Sequence, residues 1–192
     1  EADFEIASMD DEAKFGPVFH TLSFGEAIER DLLTDYQVAV IGVDDATYLK
    51  WAQKGALVTR DGGKAESAAA LAGQIGLAKA MRKYGLHRVI SFHSRVARAR
   101  EFADSLPGVV DWMPSRQRPA GSLWCRHASG EMPTGDRYIL LQSLARLPDD
   151  SRGLLANARC LAEGVDVPTL DGVAFIDPRS SEVDIVQAVG RA

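Results

Sequence analysis

The sequence predicts an α/β domain with a doubly wound parallel sheet covered by helices, and two observations support this. Short apolar segments, rich in β-branched residues and nearly free of charge, alternate along the chain with longer helix-like segments. The strand-like segments are apolar on both faces, as expected when crossover helices cover both faces of a parallel sheet. Of the 192 residues, 46% are hydrophobic and 26% are charged, which is typical of a folded domain.

The first elements are defined by caps and by apolar runs. "SFGEAIERDLL" predicts a short helix, with Ser23 as its N-cap and Glu26 at capping-box distance. "YQVAVIGV", residues 36–43, predicts a buried strand because it is short, β-branched and almost uncharged. The alanine-rich residues 65–85 predict a helix that ends at a glycine.

The rest of the chain alternates regularly. We expect strands at residues 87–93, 121–129, 152–158 and 171–177, and helices at 94–106, at 133–147 and from 184 to the end. A long surface segment is expected at 106–121, where proline and glycine recur. Trp112 and Trp124 are expected to pack in the interior, although aromatic side chains also stack on bases.

Composition excludes several classes of protein. The net charge of −5 argues against a domain that binds nucleic acid through bulk charge, but it allows a few contacts in a shared site. No apolar run approaches the ~20 residues of a membrane span, so no membrane partner is expected. Cys125 and Cys160 lie in no CxxC pair and are expected to be reduced thiols of a cytoplasmic protein. The four histidines lack metal-ligand spacing, so no metal site is expected.

The carboxyl ends of the strands are the expected binding edge, because ligands of open parallel sheets collect there. The segments that follow the strands are "SFHSR", "HASGEMP", "NARCLAEGVDVP" and "DPRSSE". The chain contains neither a G-x-x-x-x-G-K-[ST] phosphate loop nor a strand-linked G-x-G-x-x-G. A dinucleotide-using Rossmann enzyme is therefore disfavoured.

Three blocks resemble motifs of the second RecA-like domain of superfamily 2 helicases and translocases, of the DEAD/DEAH type. "RVISFHSRVARAREFADSL" resembles motif IV, "NARCLAEGVDVP" resembles motif V, and "DIVQAVGRA" resembles motif VI, whose pattern is Q-x-x-G-R-x-x-R. The resemblance implies a RecA-like sheet of the P-loop NTPase type without its phosphate loop. It implies that residues 1–35 follow a first RecA-like domain, and that residues 36–192 form the second domain, truncated within motif VI.

On the ATP side, the resemblance implies roles for five residues. Arg191 would be the arginine finger that meets the charge on the γ-phosphoryl group, and Gln187 would lie on the same helix face. Gly190 and Gly164 would allow close approach, and Asp166 would lie near the ribose or the motif VI arginines. Without motif V, the favoured interpretation of Arg191 is a solvated helix residue after a glycine stop at Gly190. Gly164 and Asp166 can likewise be read as parts of a simple turn.

On the nucleic-acid side, the resemblance and the strand ends point to residues that would touch a phosphate backbone. Exposed N–H groups are expected where motif IV passes from strand to helix, although Ser94 also suits an ordinary N-cap. The full set of candidates is Ser91, His93, Ser94, Ser129, Gly130, Asn157, Ala158 and Arg159.

The implied function is that of the C-terminal domain of an ATP-dependent nucleic-acid helicase or translocase. Its partners would be the first RecA-like domain of the same native chain and nucleic acid, with DNA favoured over RNA. ATP with Mg²⁺ would bind only in the full-length protein, so this chain alone is expected to be inactive. The alternative is a non-catalytic α/β module for binding or interaction.

Overall fold

A computed structural model of the chain describes residues 11–43, 68–158 and 170–177, and the single residue Ile185. The chain divides into two compact units, Glu1–Gln37 and Val38–Ala192. The first unit contains two short helices, α1 (Glu12–Phe15) and α2 (Phe24–Glu29). The predicted cap of α2 is confirmed, because the backbone N–H of Glu26 donates to the Ser23 hydroxyl oxygen over 3.2 Å.

The second unit contains a four-stranded parallel sheet in the order β2-β3-β1-β4. A helix connects β1 to β2 and another connects β2 to β3, which confirms the predicted α/β architecture. The elements are α3 (Ala68–Tyr84), β1 (Arg88–Phe92), α4 (Val96–Trp112), β2 (Ser122–Ser129), α5 (Thr134–Ala145), β3 (Ser151–Ala158) and β4 (Gly172–Phe175).

Both faces of the sheet are covered by helices. On one face, Leu71 and Ile75 of α3 and Leu106 of α4 belong to the same buried cluster as Val89 and Leu154 of the strands. On the other face, a second cluster contains apolar residues of α5, β1 and β3: Leu141, Leu144, Ile90, Phe92 and Leu155. Neighbouring residues of a strand therefore pack on opposite faces, as the alternation of side chains along a strand requires.

Helix α4 is longer than the sequence predicted. The predicted surface segment 106–121 begins as helix, and α4 continues through Pro107 to Trp112. Burial explains the difference: Val109 and Val110 are almost inaccessible to solvent and join the first cluster, which offsets the hydrogen bond that a proline removes. The start also differs, because the N-cap is Arg95 and not Ser94.

The buried strand predicted at residues 36–43 is absent. These residues belong to no helix or strand, and Val38 and Val40 are 80% and 96% exposed. Ile41 and Val43 instead lie beside Gly76 of α3, where an added Cβ would be 3.3 Å from Ile41. The β-branched residues of this segment favour a strand, but a strand also needs a neighbouring strand to pair with. None of the described strands pairs with residues 36–43.

The two tryptophans differ in burial. Trp124 packs against the second cluster, and the guanidinium carbon of Arg126 lies 5.8 Å from its ring centroid. Trp112 is 49% exposed. The prediction of interior packing is therefore confirmed for Trp124 and wrong for Trp112.

Within the described residues, no helix is long and apolar enough to cross a membrane. The same residues contain no group of three or more side chains suited to hold a metal ion. Cys125 is a buried free thiol, and burial raises its pKa to about 12 although the Arg126 charge acts in the opposite direction.

Candidate functional site

The carboxyl edge of the sheet brings together candidates from three strands. Phe92 of β1 is in register with Asn157 of β3, and Ser129 of β2 is in register with Ala158 of β3. His93 continues β1, and its backbone N–H donates to the Asn157 carbonyl over 2.9 Å. Because all strands run in the same direction, these residues end at one edge, as the sequence predicted.

Most of these candidates are buried. Ser91, His93, Asn157, Ser129 and Ala158 are between 0% and 2% exposed. Their side chains therefore support the edge from inside, while Ser94 and Gly130 are the described candidates that solvent reaches. Among the described candidates, those two residues are therefore the ones that a ligand at this edge could reach from solvent.

His93 is part of a small buried network. The Ser91 hydroxyl oxygen lies 2.9 Å from His93 Nε2, and the His93 ring centroid lies 4.8 Å from that of Phe102. Burial lowers the pKa of His93 to about 4, with a raising contribution from Asp177 and a lowering one from Arg98. The imidazole is therefore neutral near pH 7 and acts as a fixed part of the β1 terminus.

Asp177 is a site residue that the sequence analysis missed. Its Oδ2 accepts hydrogen bonds from both the backbone N–H and the hydroxyl of Ser94, each 2.8 Å long. Its Oδ1 accepts from Arg98 Nη1 over 2.7 Å. Burial would raise the pKa of Asp177, but the Ser94 hydrogen bonds and the Arg98 charge outweigh it, so the pKa lies below its ordinary value.

The N–H groups expected to be exposed after β1 are already used. The N–H of His93 bonds to Asn157, and that of Ser94 bonds to Asp177. The expectation of free donors at these two positions is wrong, because strand-end carbonyl and carboxylate groups satisfy them. Whether either residue contacts nucleic acid stays a prediction. Asp177 had a sequence signal, since it directly follows a strand in the segment "DPRSSE".

The end of β2 carries a further polar group. Beyond Ser129 the chain turns, with the Met132 N–H donating to the Ser129 carbonyl over 3.2 Å. Two residues before that end, His127 Nε2 accepts from Arg100 Nε of α4 over 3.3 Å. Burial and the Arg100 charge lower the pKa of His127, with Asp104 opposing them, so a neutral imidazole accepts this hydrogen bond.

The remaining candidates lie outside the described residues. They include every residue assigned to the ATP side and one from the nucleic-acid side: Gly164, Asp166, Gln187, Gly190, Arg191 and Arg159. Their roles stay predictions that rest on the sequence motifs.

A parallel sheet covered by helices, with polar residues gathered at its carboxyl edge, places this domain in the class of open α/β domains that bind ligands at the ends of their strands. The model of the helicase conserved C-terminal domain family matches residues 75–192. The chain therefore belongs to that family, and the resemblance seen in its motifs is confirmed.

One solved structure is similar over almost the whole of this chain. The ATP-dependent Type ISP restriction-modification enzyme LlaBIII, solved bound to DNA, matches with 36% identity and a TM-score of 0.78 over 97% of this chain. This chain covers 12% of the length of that enzyme. No curated protein sequence matched.

Two weaker structural matches are with helicases, and the assignment does not depend on them. The helicase domain of Pyrococcus furiosus Hef has 16% identity and a TM-score of 0.48, over 76% of this chain and 26% of that one. Domain 2 of the DEAD-box helicase Mss116p, solved with an RNA duplex, has 17% identity and a TM-score of 0.44, over 65% of this chain and 44% of that one.

Proposed function

We propose that this chain is the second RecA-like domain of an ATP-dependent helicase or translocase that acts on nucleic acid. Its working partner is a first RecA-like domain of the same native protein, which supplies the phosphate loop that this chain lacks. Membership of the helicase C-terminal family, over residues 75–192, is the observation that carries the proposal.

DNA is the proposed track. The match with LlaBIII, described as ATP-dependent and bound to DNA, favours DNA over RNA.

On this chain the contact with the phosphate backbone of the nucleic acid would be made at Ser94 and Gly130, the exposed described candidates at the carboxyl edge. Arg95, Arg98 and Arg100 are also exposed at the start of α4. Guanidinium, hydroxyl and backbone N–H groups are the donors that proteins commonly direct at phosphate oxygens. The net charge of −5 restricts this domain to a few local contacts of that kind.

ATP with Mg²⁺ would lie between the two RecA-like domains. Arg191 would direct its guanidinium at the charge that develops on the γ-phosphoryl group, a contribution of about 10³–10⁵-fold in rate for an arginine finger. Gln187 precedes Arg191 by four residues, so on a helix both would present to the cleft from one face. Gly164, Gly190 and Asp166 would complete the nucleotide side of this domain.

The test is ATP hydrolysis by the native protein, measured without nucleic acid, with DNA and with RNA. We expect DNA to stimulate hydrolysis, because closure of the two domains on ATP is coupled to the bound strand. The isolated chain is the matched control, and we expect it to hydrolyse no ATP because it has no phosphate loop. If no nucleic acid stimulates the native protein, the motor assignment fails and the domain is better described as a binding module.

A further inference from the structure

The Asp177 carboxylate occupies the donors that the proposed function assigns to a nucleic-acid phosphate. Both of its oxygens are engaged, one by the N–H and hydroxyl of Ser94 and the other by Arg98. The Asp177 side chain is 14% exposed and that of Arg98 is 56% exposed. The Arg98 guanidinium is therefore more accessible to a phosphate in solution than the Asp177 carboxylate that it contacts.

A phosphate and the carboxylate cannot share this donor set. Ser94 has one backbone N–H and one hydroxyl hydrogen, and both are directed at the same carboxylate oxygen. A phosphate oxygen placed on these hydrogens would stand against the Asp177 charge at close range, where like charges repel strongly. Asp177 would have to turn away before Ser94 could bind a phosphate.

We propose that Asp177 is an internal competitor of nucleic-acid phosphate for Ser94 and Arg98, so that binding of the strand requires release of Asp177. This inference rests on the proposed function, since it concerns regulation of the same phosphate contact. The carboxylate holds the donors in place while no strand is bound, and it sets how tightly a strand binds. Replacing it with a neutral side chain removes the competitor and strengthens nucleic-acid binding.

Asp171 provides a matched control at the opposite end of β4. Its carboxylate oxygens accept from the backbone N–H groups of His87 and Arg88, each over 2.8 Å. Asp171 therefore holds the amino end of β1 by hydrogen bonds, just as Asp177 holds Ser94, which follows the carboxyl end of β1. The Arg88 guanidinium instead donates to the Leu147 carbonyl. Replacing Asp171 with alanine removes a comparable pair of hydrogen bonds at the other end of β1, away from the proposed phosphate contact.

The experiment measures the affinity of the full native protein for a fluorescein-labelled DNA single strand and for the matching duplex, by fluorescence anisotropy. The variants are Asp177→Ala, Asp177→Asn and Asp171→Ala. Asparagine keeps an oxygen acceptor for Ser94 but carries no charge. It therefore separates the effect of charge repulsion between Asp177 and a phosphate from the effect of losing the hydrogen bonds to Ser94. The thermal midpoint of each variant is measured in parallel.

We expect both Asp177 variants to bind DNA about twofold to fivefold more tightly than the native protein, the range expected when one partly exposed charge pair is removed. Asp171→Ala should bind like the native protein even if its thermal midpoint falls. A purely structural role would give the reverse pattern: Asp177→Ala would bind more weakly or equally, and Asp177→Asn would restore native affinity. That result overturns the inference while leaving the proposed function intact. If the native protein binds neither DNA, the proposed function fails and the inference fails with it.

Discussion

Replacing His93 with asparagine tests whether the end of β1 depends on a buried neutral imidazole. His93 is 1% exposed, and burial lowers its pKa from 6.5 to about 4. As the pH falls, His93 thus becomes protonated near pH 6.5 in the unfolded chain, but only near pH 4 in the folded chain. The contribution of His93 to stability is present in full above pH 6.5 and is lost as the pH falls toward 4.

The magnitude follows from the two pKa values. Each unit of pKa is worth about 1.4 kcal/mol, so the loss approaches about 3 kcal/mol in the acid limit. Between about pH 7 and pH 5 it amounts to ~2 kcal/mol, because the folded form is still mostly unprotonated there. Asp177 raises the pKa of His93, but its own pKa lies below its ordinary value, so Asp177 stays ionised over this range. The other carboxylates are common to the native chain and the variant and cancel in the difference.

The assay is urea unfolding followed by tryptophan fluorescence over this pH range, for the native chain and for His93→Asn. The native chain should lose ~2 kcal/mol more than the variant on going from about pH 7 to pH 5. The variant is expected to be less stable at neutral pH, since the packing against Phe102 is lost. Two curves that differ by a constant offset at every pH would refute the account of His93.

Three further predictions concern stability and reactivity. Gly121→Ala should cost about 3 kcal/mol or more, since Gly121 has a φ of 84° and an added Cβ would lie 1.7 Å from the Asp150 carbonyl oxygen. Gly85 has a φ of 67° and open space around it, so Gly85→Ala should cost only ~1 kcal/mol. Equal losses of unfolding free energy for the two glycine variants, measured in urea, would contradict this difference. Leu154→Ala should cost about 2–5 kcal/mol because Leu154 is fully buried, and an unchanged urea midpoint would count against the assigned core. In a variant with Cys125 as its single cysteine, a thiol reagent should label the folded chain slowly, because burial raises the thiol pKa to about 12; labelling as fast as in urea would disprove this.

Local sequence patterns were sufficient for most of the sheet domain. The alanine-rich helix α3 ends before Gly85, whose positive φ of 67° is the conformation expected of a C-terminal glycine. The strands β1, β2 and β4 fall within their predicted segments, and β3 begins one residue before its predicted segment, at Ser151. These elements are specified by short-range periodicity and caps, which are visible in a single sequence.

The errors arose where tertiary contacts outweigh local preference. Residues 36–43 have strand composition, but Ile41 and Val43 lie against α3 at Gly76 and no described strand pairs with them. Pro107 predicted a break, yet the burial of Val109 and Val110 keeps the helix intact. Composition does not indicate which neighbour an apolar segment will find.

The sequence indicated which residues end together at the carboxyl edge of the sheet, but it did not indicate the contacts among them. The rule that ligands collect at strand ends selected the edge that carries His93 and Asn157, and ligand binding at that edge stays a prediction. It did not indicate that both residues are buried, nor that Asp177 would bind Ser94 from 83 positions away. Such pairs depend on the order of strands in the sheet, and β4 reaches the side of β1 only through the folded topology.

Nucleic-acid-stimulated ATP hydrolysis by the full native protein, beside its Arg191→Ala and Arg191→Lys variants, tests the central claim most directly. The account predicts that DNA stimulates the native protein and that both variants lose most of the stimulated rate while still binding ATP. Lysine keeps the charge but not the planar fork of donors, so it should rescue little. If Arg191→Ala hydrolyses ATP at the native rate, Arg191 is not an arginine finger and the proposed motor function of this domain is contradicted.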